Sequence, residues 1–348
     1  MRFLGAKIHD GYGLLTAPAE EHTRIRRLFS HAFSNSALRQ QERLLVKYVD
    51  LLIQKLDGRR ESQEAINMVD MLNFVTFDIM AELTFGEALH LLETGKHIPW
   101  VHAIFGGLKF IVWRAVMLGI PVLGPLLEAL TTAPLKKKMK EHCRLSEDMV
   151  DRRLEWDDMD KKPDIWSFVL RHSVDGKGLT LDEMYANAAM FLIAGSETTS
   201  TSLSGVLFYL MTNPCVYERL VDEIRTTFQS SGDINLRTVS GMRYLNAVLQ
   251  EGLRIYTPGG VGIGRYVPRG GADICGDFVP EGTLVSLNTC AAYTSETNFY
   301  RPRDFLPDRW LFPDREPFRH DKREVFEPFS YGPRNCIGKK YALRPHCP

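Results

Sequence analysis

Apolar residues recur at spacings of three and four along most of this chain, which is the period of helices that pack by one face. The predicted helices cover residues 19–33, 37–57, 66–85, 96–110, 133–157, 163–172, 180–211, 214–229 and 242–255. The longest of them opens on a capping-box arrangement of Thr180 and Glu183 and stops before Pro214. Both of its boundaries therefore have a physical cause.

The pattern changes between residues 264 and 286, where valine, isoleucine, glycine and proline predominate. This composition predicts short strands of a small sheet, with turns at Gly270–Gly271 and at Gly282. Residues 295–328 are rich in proline, arginine, aspartate and phenylalanine and predict an ordered but irregular segment. We predict a mainly α fold with a small β part, in a single domain over residues 1–348.

Composition narrows the function only slightly. Lysine plus arginine and aspartate plus glutamate each number 43, so net charge gives no reason to expect a nucleic-acid partner. The six cysteines include no C-x-x-C pair and fit a reducing, intracellular compartment. Residues 110–130 are apolar, but Arg114, Pro121, Pro125 and Glu128 interrupt them. We expect that residues 100–130 could lie against a membrane without forming a spanning helix.

The strongest chemical signal is the loop 329–338, which follows the pattern F-x-x-G-x-R-x-C-x-G. Its glycines permit a tight backbone around Cys336, just before a predicted short helix. Backbone N–H groups and the start of a helix can stabilise a thiolate there, so Cys336 is a candidate metal ligand. The alternative, a structural cysteine in a turn, would leave Phe329 and Arg334 unexplained.

Two glycine-rich stretches look like nucleotide sites and fail on spacing. Five residues separate Gly332 from Gly338, and Lys340 stands where a phosphate loop has serine or threonine. Residues 259–264 follow a predicted helix instead of a strand, and their glycine spacing differs from a dinucleotide fingerprint.

The loop resembles the haem-ligand loop of the haem-thiolate monooxygenases, the cytochrome P-450 family. The resemblance implies that haem b is the cofactor, that Cys336 binds its iron, and that Phe329 and Arg334 contact it. The stretch A-G-S-E-T-T in the long helix is similar to the family's oxygen-activation motif. By that resemblance Glu197 and Thr198 relay protons to the haem, whereas the residues alone also fit a polar helix face.

Further matches follow in family order. Glu251 and Arg254 lie three apart in one predicted helix, and F-L-P-D-R-W resembles the family's P-E-R-F segment. The resemblance implies that Arg309 completes a buried Glu251–Arg254–Arg309 network with a structural role. Asp308 and Trp310 replace the usual glutamate and phenylalanine, and we expect neither replacement to touch the network.

Haem also carries two propionates, which need cationic or hydrogen-bonding partners. The resemblance assigns this role to Arg26, with His22 four residues earlier where tryptophan is common, and to Arg265 and Arg334. Each arginine taken alone also fits a solvated surface charge.

The resemblance implies a monooxygenase that inserts one oxygen atom of dioxygen into an apolar small molecule. Residues 28–34 and 271–280 resemble filamentous-fungal members of secondary metabolism. Electrons would come from a separate NADPH-dependent reductase, since the sequence contains no recognisable flavin or nicotinamide motif. Family members usually sit at the endoplasmic-reticulum membrane.

Compared with the family pattern, the chain starts after the membrane anchor and early elements and stops soon after the haem cysteine. We therefore expect a cytochrome P-450 fold that is incomplete at both termini. Two alternatives stay open. One is a same-fold haem isomerase or dehydratase, which the pairing of Glu197 with Thr198 disfavours, and the other is a truncated, non-catalytic remnant.

Overall fold

A computed structural model describes residues 11–60, 65–96, 101, 104, 133–156, 163–171 and 178–342. Its helices are Ala19–Ser30 (α1), Asn35–Asp57 (α2), Met68–Phe85 (α3), Leu91–Thr94 (α4), Ala133–Leu154 (α5), Ile165–Arg171 (α6), Leu181–Thr212 (α7), Pro214–Thr227 (α8), Leu236–Ser240 (α9), Arg243–Ile255 (α10), Thr289–Tyr293 (α11), Asp308–Leu311 (α12) and Lys339–Ala342 (α13). The strands are Arg265–Tyr266 (β1), Ala272–Ile274 (β2), Asp277–Val279 (β3) and Leu284–Val285 (β4). Short 3₁₀ turns lie at Ser231–Asp233, Phe318–His320 and Arg323–Val325.

This mainly helical architecture with a small β part confirms the predicted fold class. Each predicted helix is present near its expected position, except 96–110, which lies almost wholly outside the described residues, as do 100–130. Caps set the boundaries. The Asn67 side chain accepts hydrogen bonds from the first turn of α3, and Gly86 ends that helix at a φ of 72°.

The long helix α7 begins with the capping box that the sequence predicts. The Thr180 N–H donates to Glu183 Oε2 at 2.9 Å, and the Glu183 N–H donates to Thr180 Oγ1 at 3.2 Å. The helix ends at Thr212, and Pro214 opens α8 at a position where a missing N–H costs nothing.

The four strands form two antiparallel ladders instead of one small sheet. Strand β1 pairs with β4, and the β2–β3 hairpin is nested in the connection between them. Gly270, Gly271 and Gly282 have φ values of 90°, 81° and 79°, which confirms the predicted turns. The β1–β4 ladder fixes Arg265 opposite Val285.

The chain divides into two compact units, residues 2–197 and 198–348, with the boundary inside α7. In the first unit Phe29 packs edge-on against Phe191, with ring centroids 4.7 Å apart. The core of the second unit gathers residues from α7, α8 and α10 with Phe305, which stacks on Tyr209 at 5.1 Å. The interpretation as a single domain stays a prediction.

Among the residues that the structure describes, no helix is both long and apolar enough to cross a membrane.

Candidate functional site

The loop that carries Cys336 is closed by its own backbone. The Cys336 N–H donates to the Phe329 carbonyl at 2.8 Å, and the Asn335 N–H donates to the Gly332 carbonyl at 3.0 Å. Ser330 and Gly332 adopt left-handed φ values of 61° and 82°, which make this tight return possible. The Cys336 residue is exposed, so the loop presents it at the surface of the second unit.

Cys336, as a single protein ligand, suits an iron whose other ligands are supplied by its cofactor. Within the described parts of the chain, no group of three or more histidine, cysteine, aspartate or glutamate side chains gathers at one point. A single exposed cysteine in a glycine-containing loop instead suits the one protein thiolate that a haem of this type needs. The residues present therefore fit the cofactor that the sequence resemblance implies.

Arg334, two residues before Cys336, carries the same charge as Arg265 and is close enough to interact with it electrostatically. Burial lowers the pKa of Arg334, and the positive charge of Arg265 lowers that pKa further. Arg265 is held by donating from Nη1 to the carbonyls of Ile263 and Gly264, at 3.1 and 3.3 Å. An anionic group between the two guanidinium groups would offset their repulsion, as the propionates of haem would. The roles of Arg334 and Arg265 toward the propionates stay predictions.

The predicted Glu251–Arg254–Arg309 network is present, and all three side chains are fully buried. Glu251 accepts from Arg254 Nε and Nη2 at 2.9 and 2.8 Å and from Arg309 Nε at 3.1 Å. Arg254 also donates to the carbonyls of Tyr293 and Pro302 at 2.7 and 2.6 Å. The two arginines therefore tie α10 to the irregular segment that precedes the cysteine loop.

Trp310 corrects one expectation. Its indole Nε1–H donates to Glu251 Oε2 at 2.9 Å, so the prediction that this replacement would not touch the network was wrong. A phenylalanine could not make this bond, because it has no donor. Asp308 does stay outside the network and pairs with Arg219 at 2.7 Å on the surface.

A fourth charged member of the network was missed by the sequence reasoning. Asp321, which is 7% exposed, pairs with Arg309 Nη1 and accepts the Tyr300 N–H at 2.6 Å. Arg309 Nη2 returns a bond to the Tyr300 carbonyl at 2.9 Å. Asp321 belongs to none of the recognised motifs, so no signal short of the folded structure points to it.

The other predicted site residues lie at the helices α1 and α7. His22 is buried and Arg26 is half-buried, one turn apart on α1 in the first unit. Glu197 and Thr198 are the residues at the unit boundary in α7. Their roles toward haem and protons stay predictions.

The glycine of the oxygen-activation motif has a packing reason that the sequence did not reveal. A Cβ at Gly195 would come within 2.4 Å of Met80 Sδ, so a larger residue would require the Met80 side chain to move. Ala194 and Thr198, four residues apart, are both exposed on the same face of α7, while Ser196 is buried and donates to the Thr76 carbonyl at 3.3 Å. The helix therefore presents Thr198 away from the α3 contact.

Comparisons with known proteins match the chain to one family and to several relatives. A family model described as Cytochrome P450 matches residues 2–344. Cytochrome P450 monooxygenase efuB of Hormonema carpetanum is 42% identical over 98% of this chain and 68% of its own length. Cytochrome P450 monooxygenase astJ of Aspergillus oryzae is 41% identical over 94% of this chain and 66% of its own length. Averantin hydroxylase of Aspergillus parasiticus is 39% identical over 96% of this chain and 67% of its own length. The chain spans about two thirds of the length of these relatives.

Replacing Asp321 with alanine should lower the free energy of unfolding by about 3–5 kcal/mol, because it leaves part of the buried Arg309 charge unpaired. Denaturant unfolding followed by circular dichroism measures the change. The matched control is Asp308→Ala, which breaks an exposed arginine pair and should cost at most about 1 kcal/mol. Equal losses in the two variants would contradict the assignment of Asp321 to the network.

Proposed function

The chain belongs to the cytochrome P450 family, and on this premise we propose that it is a haem-dependent monooxygenase of fungal secondary metabolism. It would insert one oxygen atom of dioxygen into an apolar small molecule. The observation that carries the proposal is the exposed Cys336 in its closed loop, with Arg334 two residues before it. The compared relatives are named as monooxygenases and a hydroxylase, which favours oxidation over the isomerase or dehydratase alternative.

The cofactor would be held from several sides. Cys336 supplies the thiolate ligand, and Phe329, at the other end of the closing hydrogen bond, lies at the base of the same loop. Arg334 and Arg265 would bind propionate oxygens, and the resemblance assigns the same role to Arg26 and His22. When bound, the haem supplies a thiolate-ligated iron that activates dioxygen. The protein would supply the thiolate ligand and the counter-charges.

Proton delivery is the proposed task of α7. Thr198 is exposed on its face of the helix. By resemblance to the family's oxygen-activation motif, its hydroxyl would hold a proton donor for bound dioxygen. Glu197, the neighbouring residue, is half-buried and would transfer protons from solvent to that hydroxyl. The helix keeps the acid and the alcohol adjacent, and Gly195 lets the same segment approach α3 closely.

Electrons would come from a separate NADPH-dependent reductase, because family members need a redox partner. We also propose an intracellular site, at the endoplasmic-reticulum membrane where the family usually lies. Averantin hydroxylase is named for acting on averantin, and the substrate class proposed for this chain is the broader one of apolar small molecules. The proposal takes the whole chain as one catalytic domain. The non-catalytic remnant is less favoured, since the compared relatives are named as monooxygenases and a hydroxylase.

Replacing Cys336 with alanine should abolish the red-shifted Soret band that a thiolate-ligated haem shows in its reduced carbon monoxide complex. Cys215→Ala is the matched control, since Cys215 is also exposed but lies on α8 outside the loop, and it should leave the band unchanged. Reduced carbon monoxide difference spectra of the haem-loaded proteins measure whether the band is present. Persistence of the band in the Cys336→Ala protein would rule out this ligand.

Replacing Thr198 with alanine should leave haem binding intact while diverting electrons to hydrogen peroxide. Product formed per NADPH should fall by about a hundredfold, the lower end of what positioned proton transfer contributes. Thr212→Ala is the control, because its hydroxyl lies on the same helix but donates to the Phe208 carbonyl at 2.9 Å. Coupled turnover in Thr198→Ala, measured as product against peroxide, would remove Thr198 from the relay.

A further inference from the structure

Tyr293, the last residue of α11, connects the buried Glu251 network to the chain that leads into the cysteine loop. Its side chain is fully buried. Its carbonyl accepts a hydrogen bond from Arg254 Nη1 at 2.7 Å, and its hydroxyl accepts one from the Glu327 N–H at 3.0 Å. One residue therefore contacts the network through its backbone and the base of the loop through its side chain.

A second route reaches the same point of the chain through aromatic packing. Trp310, which donates to Glu251, lies against Phe326 with ring centroids 4.8 Å apart. Phe326 in turn lies against the Tyr293 ring at 5.2 Å. Phe326 and Glu327 are consecutive, so the ring contact and the hydroxyl bond both hold this one peptide.

Two short backbone bonds continue from that peptide to Cys336. The Glu327 carbonyl accepts the Ser330 N–H at 2.9 Å, and the Phe329 carbonyl accepts the Cys336 N–H at 2.8 Å. Residues 326–338 include no helix or strand of their own, so no regular ladder fixes their direction. The orientation of the cysteine depends on how firmly the base of the loop is held.

We propose that Tyr293 is a positioning residue for Cys336, which transmits the geometry of the Glu251 network to the iron ligand through its hydroxyl. This inference rests on the proposed function, because it takes Cys336 as the ligand of a haem iron. It predicts that losing the hydroxyl loosens the loop and makes the thiolate bond easier to break, while the helical core stays folded.

The test compares haem-loaded wild type, Tyr293→Phe and Tyr244→Phe. Tyr244 is the matched control, since it is also buried in the second unit, on the helix that carries Glu251, but its ring packs with Arg219. In mild denaturant the reduced carbon monoxide complex is followed over time, together with the helical circular dichroism. Tyr293→Phe should lose its thiolate-type band about fivefold to tenfold faster than wild type, as the loss of one hydrogen bond allows.

In Tyr293→Phe, the helical circular dichroism and the total bound haem should stay constant while the thiolate-type band is lost. Tyr244→Phe should lose the band at the wild-type rate. Loss of the helical signal in step with the band would show a merely structural role and overturn the proposal. So would a rate within twofold of wild type. If Tyr293→Phe gives no haem-loaded protein, Phe326→Leu, which removes the ring contacts with Tyr293 and Trp310, should show a smaller acceleration of the same kind, and a rate equal to that of wild type would overturn the proposal. Wild type without a thiolate band would instead overturn the proposed function.

Discussion

The structure of the second unit depends on one buried carboxylate. Glu251 is removed from water with a charge that would be costly alone, and it is compensated by five donors. Four are side-chain N–H groups of Arg254, Arg309 and Trp310, and the fifth is the backbone N–H of Leu306 at 2.9 Å. These donors come from α10, from α12 and from the segment between α11 and α12. A single acid therefore fixes three stretches of chain, and the chain that connects them has little regular structure.

That arrangement explains how an irregular loop can present a metal ligand. The cysteine loop has left-handed turns at Ser330 and Gly332 and is closed by one bond to Phe329, so its shape is set locally. The direction of the loop is set by residues outside it. There Arg254 and Arg309 donate hydrogen bonds to backbone carbonyls that no helix or strand would satisfy. A ligand held this way can be accessible without being mobile, which a cofactor site requires.

Much of this fold could be predicted from the sequence because helix boundaries carry their own chemistry. The capping box of Thr180 and Glu183 and the proline at the start of α8 placed the longest helix within one residue at each end. The irregular segment 295–328 could be recognised by composition only. Its backbone follows no repeating pattern, and two of its carbonyls, those of Pro302 and Asp304, accept from Arg254, which lies far away in the sequence.

The candidate site, like the fold, could be predicted only where the sequence carries a recognisable pattern. Motif resemblance pointed to the three members of the Glu251 network, whose contacts the structure shows, and to Cys336, whose role toward iron stays a prediction. It misjudged Trp310, because only the folded geometry shows that an indole N–H reaches the carboxylate. It missed Asp321, whose contact with Arg309 has no counterpart in sequence spacing.

The central claim is that this fold supplies one cysteine thiolate to a haem iron. X-ray absorption at the iron edge of the haem-loaded chain tests this most directly, because it identifies the atoms bound to the metal without relying on turnover. The account predicts one sulfur neighbour in the first coordination shell beside the porphyrin nitrogens. A shell containing only nitrogen and oxygen would contradict it.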